Sequence, residues 1–273
     1  MFGYVLPGFL YNIDQRYFQI AFLFGLFVFA NSVIGINHTI WSNLLLVFGS
    51  AVVTQIVLCK YFDVTFCWHS AAVSSLGIAI LLHTPYWFMY VFAAVVAISS
   101  KFVLRLGNRH IFNPANIGLV AATFLFPVYA VITPTQWNNV AVFSVIAVFI
   151  CGLLVTATVK RYDTALLFIG TLLISSGLLF TFGVIDSFAV LSTFTSVHTI
   201  MFAFFMITDP MTSPNTIEGR LLYVILCVAL GVFIQYQFNW NPGFVYALPI
   251  ANMLVPVFNT FFKGDNFSWR KTG

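Results

Sequence analysis

A chain of 273 residues that is 61% hydrophobic, 18% aromatic and only 7% charged, with a mean hydropathy of +0.99, carries more apolar surface than a soluble domain of that size can hide. The solvent for most of its length is therefore lipid. The formal charge of +4 arises from 11 basic residues scattered over short connections, without the compact basic patch that a nucleic-acid-binding protein needs.

The first 17 residues contain Asp14 and Arg16 and lack a basic start followed by a small-residue cleavage site, so the first apolar segment is expected to insert and stay. Ten apolar segments follow, at about 18–36, 41–59, 70–83, 86–104, 114–132, 140–158, 164–184, 194–207, 218–237 and 243–262. Most are close to the roughly 20 residues a helix needs to cross the hydrocarbon core. Segments 70–83 and 194–207 are short. With the amino terminus inside, all 11 Lys and Arg residues, from Arg16 and Lys60 to Arg270 and Lys271, fall on the inner side. The outer connections around His38, Thr84, Thr135, Asp186 and Asn239 hold none, which is a strong positive-inside pattern. The expectation is an all-α polytopic membrane protein, one membrane domain over residues 1–273, with ten spans and both termini cytoplasmic.

An internal repeat runs through these segments. The corner Ile80-Leu81-Leu82-His83-Thr84-Pro85 is echoed by Phe205-Met206-Ile207-Thr208-Asp209-Pro210, the prolines standing 125 positions apart. Phe112-Asn113-Pro114, ahead of the fifth segment, is echoed by Trp240-Asn241-Pro242, ahead of the tenth, at a spacing of 128. Two halves of five spans, about 18–132 and 140–262, follow from this. An odd number of spans inverts the second half, and inverted repeats place short or broken helices and binding sites near the bilayer midplane.

The corners admit two explanations. Asn before Pro is a favoured helix start, which accounts for Asn113-Pro114 and Asn241-Pro242, and Asn215 with Glu218 fits a capping box. Capping leaves unexplained the density of polar groups at Thr208, Asp209, Thr212, Ser213 and Asn215. Irregular backbone at membrane depth is tolerated where it is buried in protein or lines a cavity, so a ligand is the natural occupant. The span interiors otherwise offer neutral groups such as Asn116, Asn252 and Asn259, suited either to a planar hydrogen-bonding molecule or to helix packing. Cys59, Cys67, Cys151 and Cys227 show no metal-ligand spacing, and His38, His83 and His198 show no axial-ligand motif, so no metal site is expected.

The strings Asn108-Arg109-His110-Ile111-Phe112-Asn113-Pro114-Ala115-Asn116 and Met206-Ile207-Thr208-Asp209-Pro210-Met211-Thr212-Ser213-Pro214 resemble the NqrB/RnfD family, the membrane subunits of the sodium-translocating NADH:quinone reductase and of Rnf-type electron-transport complexes. The resemblance extends along nearly the whole chain. It implies a urea-transporter-like inverted repeat, a place beside other subunits of a membrane redox complex, a bacterial inner-membrane location, and a bound flavin. Family members carry covalent FMN on the Thr of a Ser-Gly-Ala-Thr sequence, which is absent here, the corresponding loop being Thr133-Pro134-Thr135-Gln136-Trp137-Asn138-Asn139. The flavin implied is therefore riboflavin or FMN held non-covalently. Its expected contacts are Asn113, Asn116, Thr208, Asp209, Thr212 and Ser213 at the inner corner, with His83, Thr84 and Asn241 as outer counterparts. A facilitator for a small neutral solute and a structural scaffold subunit are the rival readings.

Overall fold

Residues 14–32, 41–107, 109–132 and 142–267 are described by a computed structural model of the chain. His38, the connection 133–139, Asn108, Arg270 and Lys271 lie outside them. The first helices are α1 (Gln15–Ser32), α2 (Trp41–Tyr61), α3 (Trp68–Leu81), α4 (Trp87–Val103) and α5 (Pro114–Leu125). Then come α6 (Val142–Thr158), α7 (Tyr162–Thr181), α8 (Ser187–Thr195) and α9 (Val197–Met201), with a π-helical turn over Phe202–Met206. Helices α10 (Ile217–Phe238) and α11 (Gly243–Phe261) complete the set.

Among the described residues four helices, α2, α7, α10 and α11, are long and apolar enough to cross a membrane, and the pair Ser187–Phe194 and His198–Met206, bent by 49°, makes a fifth if taken as one broken span. Five more apolar helices are shorter. The chain is thus an integral membrane protein of helical class.

The element boundaries follow local chemistry. Helix α5 starts where expected, with Asn113 accepting from the Asn116 amide at 3.0 Å and Pro114 in the first turn. It stops at Leu125, seven residues short of the expected end, because Pro127 disfavours helical backbone just before it. The chain then forms strand β4 (Val131–Ile132), antiparallel to β1 (Leu82–His83), while β2 (Arg105–Leu106) and β3 (Arg109–His110) form a second small ladder. These two ladders are a departure from a purely helical expectation. The eighth segment begins at Ser187, earlier than position 194, capped by Asp186 accepting from the Ala189 amide, and breaks at Ser196. Asn215 and Glu218 do not form a capping box: Thr216 caps α10 by accepting from Gly219, and the Asn215 amide bonds Asn259 Oδ1 instead. Asn241 is not an N-cap either, since α11 opens after Pro242 without a side-chain cap.

Helix α4 packs between α2 and α5, and α1 against α3; in the second half α10 packs between α7 and α11, and α6 against α9. The halves meet through α1 on α6 and α5 on α11. The latter contact is tied by Asn116 Nδ2 donating to the Val245 carbonyl at 2.9 Å and Tyr246 OH donating to Thr123 Oγ1 at 3.1 Å. The core of the second half is aromatic, with Phe168, Phe202 and Phe244 in mutual contact and buried.

Candidate functional site

The turn that follows the π-helical segment is built from its own polar side chains. Thr208 Oγ1 donates to the Phe204 carbonyl at 2.6 Å, and Asp209 Oδ1 accepts from the Met211 amide at 3.0 Å. The Asp209 carbonyl takes the amides of Thr212 and Ser213. A π-turn at this point is itself informative, since such insertions are concentrated at functional sites.

Three arginines hold the turn from outside. Arg109, brought in by the β2–β3 ladder, donates Nε to the Met211 carbonyl at 2.9 Å, Nη1 to Asn215 Oδ1 at 2.7 Å, and Nη2 to the carbonyls of Pro210 and Ser213 at 2.7 and 2.8 Å. Arg161 Nε donates to Ser213 Oγ at 3.3 Å. Arg220 donates to the Asn215 carbonyl at 2.8 Å and pairs with Asp163. Burial lowers the proton affinity of Arg109, against the pull of Asp209, and lowers that of Arg161 to about 10, with Arg220 adding to the effect. All three gather on the same turn.

Two spaces flank this turn. A cavity of about 100 Å³ lies among α1, α3, α5 and the π-turn, and Arg16, Ser74, His110, Asn113, Thr208 and Asp209 are among its lining residues. Asn113 Nδ2 approaches Asp209 Oδ2 at 3.3 Å there. An open groove of about 750 Å³ lies on the other side, lined by Arg109, His110, Ile111, Met211, Thr212, Asn252, Val255, Pro256, Asn259 and Phe267 with others. Thr212 Oγ1 and Asn252 Nδ2 are buried without a hydrogen-bond partner among the described residues, and Pro256 withholds the N–H that would bond the Asn252 carbonyl.

The expected site residues are therefore divided. Asn113, Thr208 and Asp209 line the small cavity, and Thr212 lines the groove. Asn116 and Ser213 are fully buried and line neither, although Asn116 Oδ1 lacks a partner among the described residues. At the other end, His83 and Thr84 sit in and beside β1, while exposed Asn241 borders a space of about 300 Å³ with Trp240, Tyr246 and strand β4. Asn252, Asn259, Arg109 and His110 join the site without being among the residues expected there. The seven-residue spacing of Asn252 and Asn259, two helical turns, is the signal that could have found the first pair. Among the described residues no group of three or more His, Cys, Asp or Glu side chains could hold a metal.

Replacing Asn113 with Ala removes the α5 cap and the Asp209 contact together. The expected loss is about 1–2 kcal/mol of stability, read as a lowered Tm in detergent. A Tm unchanged within error would show that neither bond matters.

A helical membrane protein with a broken span ending in an arginine-held polar turn is the class that the fold and site define. A profile of the NQR2, RnfD, RnfE family matches residues 130–268, just over half of the chain, and the chain belongs to that family. It is similar to the D component of the ion-translocating oxidoreductase complex of Vibrio vulnificus strain YJ016, 28% identical over 130 residues that cover 47% of this chain and 35% of that protein. The component of the same name from Shewanella pealeana is 25% identical over 136 residues, 49% of this chain and 37% of the relative. That from Erwinia tasmaniensis is 34% identical over 73 residues, 27% and 21% of the two chains. These matches span from about a fifth to little more than a third of the curated relatives' own length.

Proposed function

We propose that this protein is an electron-transfer subunit of an Rnf- or NQR-like membrane redox complex and binds a flavin non-covalently, riboflavin or FMN, in the groove beside Thr212. Family membership supplies the context, and the observation that carries the reading is a pair of buried polar atoms without a partner among the described residues, Thr212 Oγ1 and Asn252 Nδ2, on two residues that line a groove of about 750 Å³. That volume falls within the usual range of about 300–1,000 Å³ for cofactor sites, whereas the cavity of about 100 Å³ suits a few waters. Apolar Ile111, Val255 and Pro256 with Phe267 would flank a planar ring, and Thr212, Asn252 and Asn259 would meet its polar edge. A flavin supplies one- and two-electron chemistry, while the protein orients it and tunes its electronics. Asn113, Thr208 and Asp209 then serve as the support of the turn that carries Thr212.

Ten spans in two inverted five-helix repeats, urea-transporter-like, with both termini and the arginine-held turn on the cytoplasmic side of a bacterial inner membrane, form the architecture we propose around this site. The recurrence of the same packing order in α1–α5 and α6–α11, and the mutual contacts of α1 with α6 and α5 with α11, support it. The ion-translocating activity named for the relatives, and their partner subunits, come to this chain as part of the same proposal.

The protein purified from its native membrane is expected to show flavin absorbance and to release about one flavin per chain on denaturation, with loss of flavin in T212V and N252L variants. Purified protein without extractable flavin would reject the reading. Solute flux into proteoliposomes would then favour a facilitator, and stable co-purification with a partner but no cofactor would favour a scaffold.

A further inference from the structure

His110 stands where the two spaces meet. It is among the residues lining both the small Asp209 cavity and the groove, a position it shares with Met211. Its Nδ1 lies 2.9 Å from the Phe112 carbonyl, which can only accept, so Nδ1 carries the hydrogen and Nε2 is the nitrogen left to exchange a proton. Of the described residues that line the groove only Arg109 and His110 are ionisable, and a guanidinium does not release its proton. On the cavity side, Asp209 forms no ion pair with Arg109 among the described residues, because Arg109 directs its donors at carbonyls and Asn215. The carboxylate is instead held by Met211 N and Asn113 Nδ2.

We propose that His110 is the proton relay between the Asp209-lined cavity and the molecule bound in the groove. When an electron from a redox centre of a partner subunit makes that molecule basic, the imidazolium gives up its Nε2 proton. The N–H bond breaks, its electron pair stays on the ring nitrogen, and a new bond to hydrogen forms on the acceptor. Nε2 is reloaded from water in the Asp209-lined cavity, which is replenished from the aqueous end of the bundle, and the Asp209 side chain favours the reformed imidazolium. Burial lowers the proton affinity of His110; Asp209 from the turn favours the imidazolium, while Lys101 from α4 and Arg105 from β2 oppose it. A ring whose proton affinity burial pushes down and Asp209 pulls up can both take up and release a proton, as a relay needs.

The inference rests on the flavin reading for the groove's occupant, so its test has two arms. In flavin-stripped protein, C2-hydrogen exchange of His110 followed by mass spectrometry reports its protonation directly. Asp209→Asn should move the His110 midpoint to lower pH, and an unchanged midpoint would overturn the relay. In flavin-bearing protein, H110A should slow reduction of the bound flavin on the order of 10²-fold and flatten its pH profile. Added imidazole, which the open groove admits, should restore the rate. H110Q serves where H110A is not recovered from the membrane. Retained flavin with unaltered rate and pH profile in either variant would also overturn the relay. Wild-type protein lacking flavin would instead reject the groove's assignment, leaving the exchange arm to decide whether His110 and Asp209 are coupled.

Discussion

Arg109→Ala is expected to cost about 3 kcal/mol or more of stability and to release whatever the groove holds. Four acceptors depend on that one guanidinium: the carbonyls of Met211, Pro210 and Ser213 and the side chain of Asn215. Hydrogen bonds from a charged donor contribute about 1.5–3 kcal/mol each when measured singly, and four on one fork do not add in full. The larger penalty is left behind in the turn, where Pro210 and Ser213 are buried and their carbonyls lose a charged donor. Arg109→Lys keeps the charge but not the planar fork that reaches four acceptors, so it should recover less than half of the loss. Thermal unfolding in detergent, with flavin content measured on the same samples, checks both variants. A loss under about 0.5 kcal/mol for the alanine variant would mean that Arg161 and Arg220 suffice to hold the turn.

The importance of residues 206–215 can be read from the chain because an acid and two prolines interrupt an apolar run, which lipid does not tolerate without a reason. What those polar groups do cannot be read in the same way. Ser213 is buried under Arg161, and Thr208 is turned back onto Phe204, so both serve the turn itself. The partner that matters most, Arg109, stands 101 residues away from Pro210 and is delivered by a four-residue ladder that has no hydrophobic periodicity of its own. Long-range pairing of that kind depends on the fold, and a single sequence carries no trace of it. The apolar segments themselves are legible from length and composition, with errors that have local causes. Residues 187–194 are rich in Ser and Thr and dilute the hydropathy signal, so hydropathy alone starts the eighth segment too late. Pro127 ends α5 early, although the apolar residues continue beyond it.

The same limit applies to helix approach, where the decisive feature is the absence of a side chain. A β-carbon at Gly243 would lie 2.0 Å from the Gly231 carbonyl oxygen and 2.9 Å from Gln235 Cβ, so α10 and α11 meet backbone to backbone near the connection that joins them. Gly118 does the same for α4 and α5, where a β-carbon would come within 2.5 Å of the Ala93 carbonyl oxygen. Small residues at such crossings let helices approach in lipid, where dispersion contact drives association. Gly243→Ala cannot be absorbed by a rotamer change, because the obstacle is main chain on a neighbouring helix. Overpacking usually costs about 1–3 kcal/mol, and a clash with fixed backbone should reach or exceed about 3 kcal/mol. The displacement would open the α10–α11 crossing and shift α11, which carries Asn252 and Asn259 into the groove. We therefore expect Gly243→Ala to lower the Tm and to weaken flavin retention although it lies at the opposite end of α11 from the groove. Gly25→Ala, at a position where a β-carbon meets nothing within 4 Å, should leave both unchanged. Equal Tm values for the two variants would show that the helices slide apart at little cost.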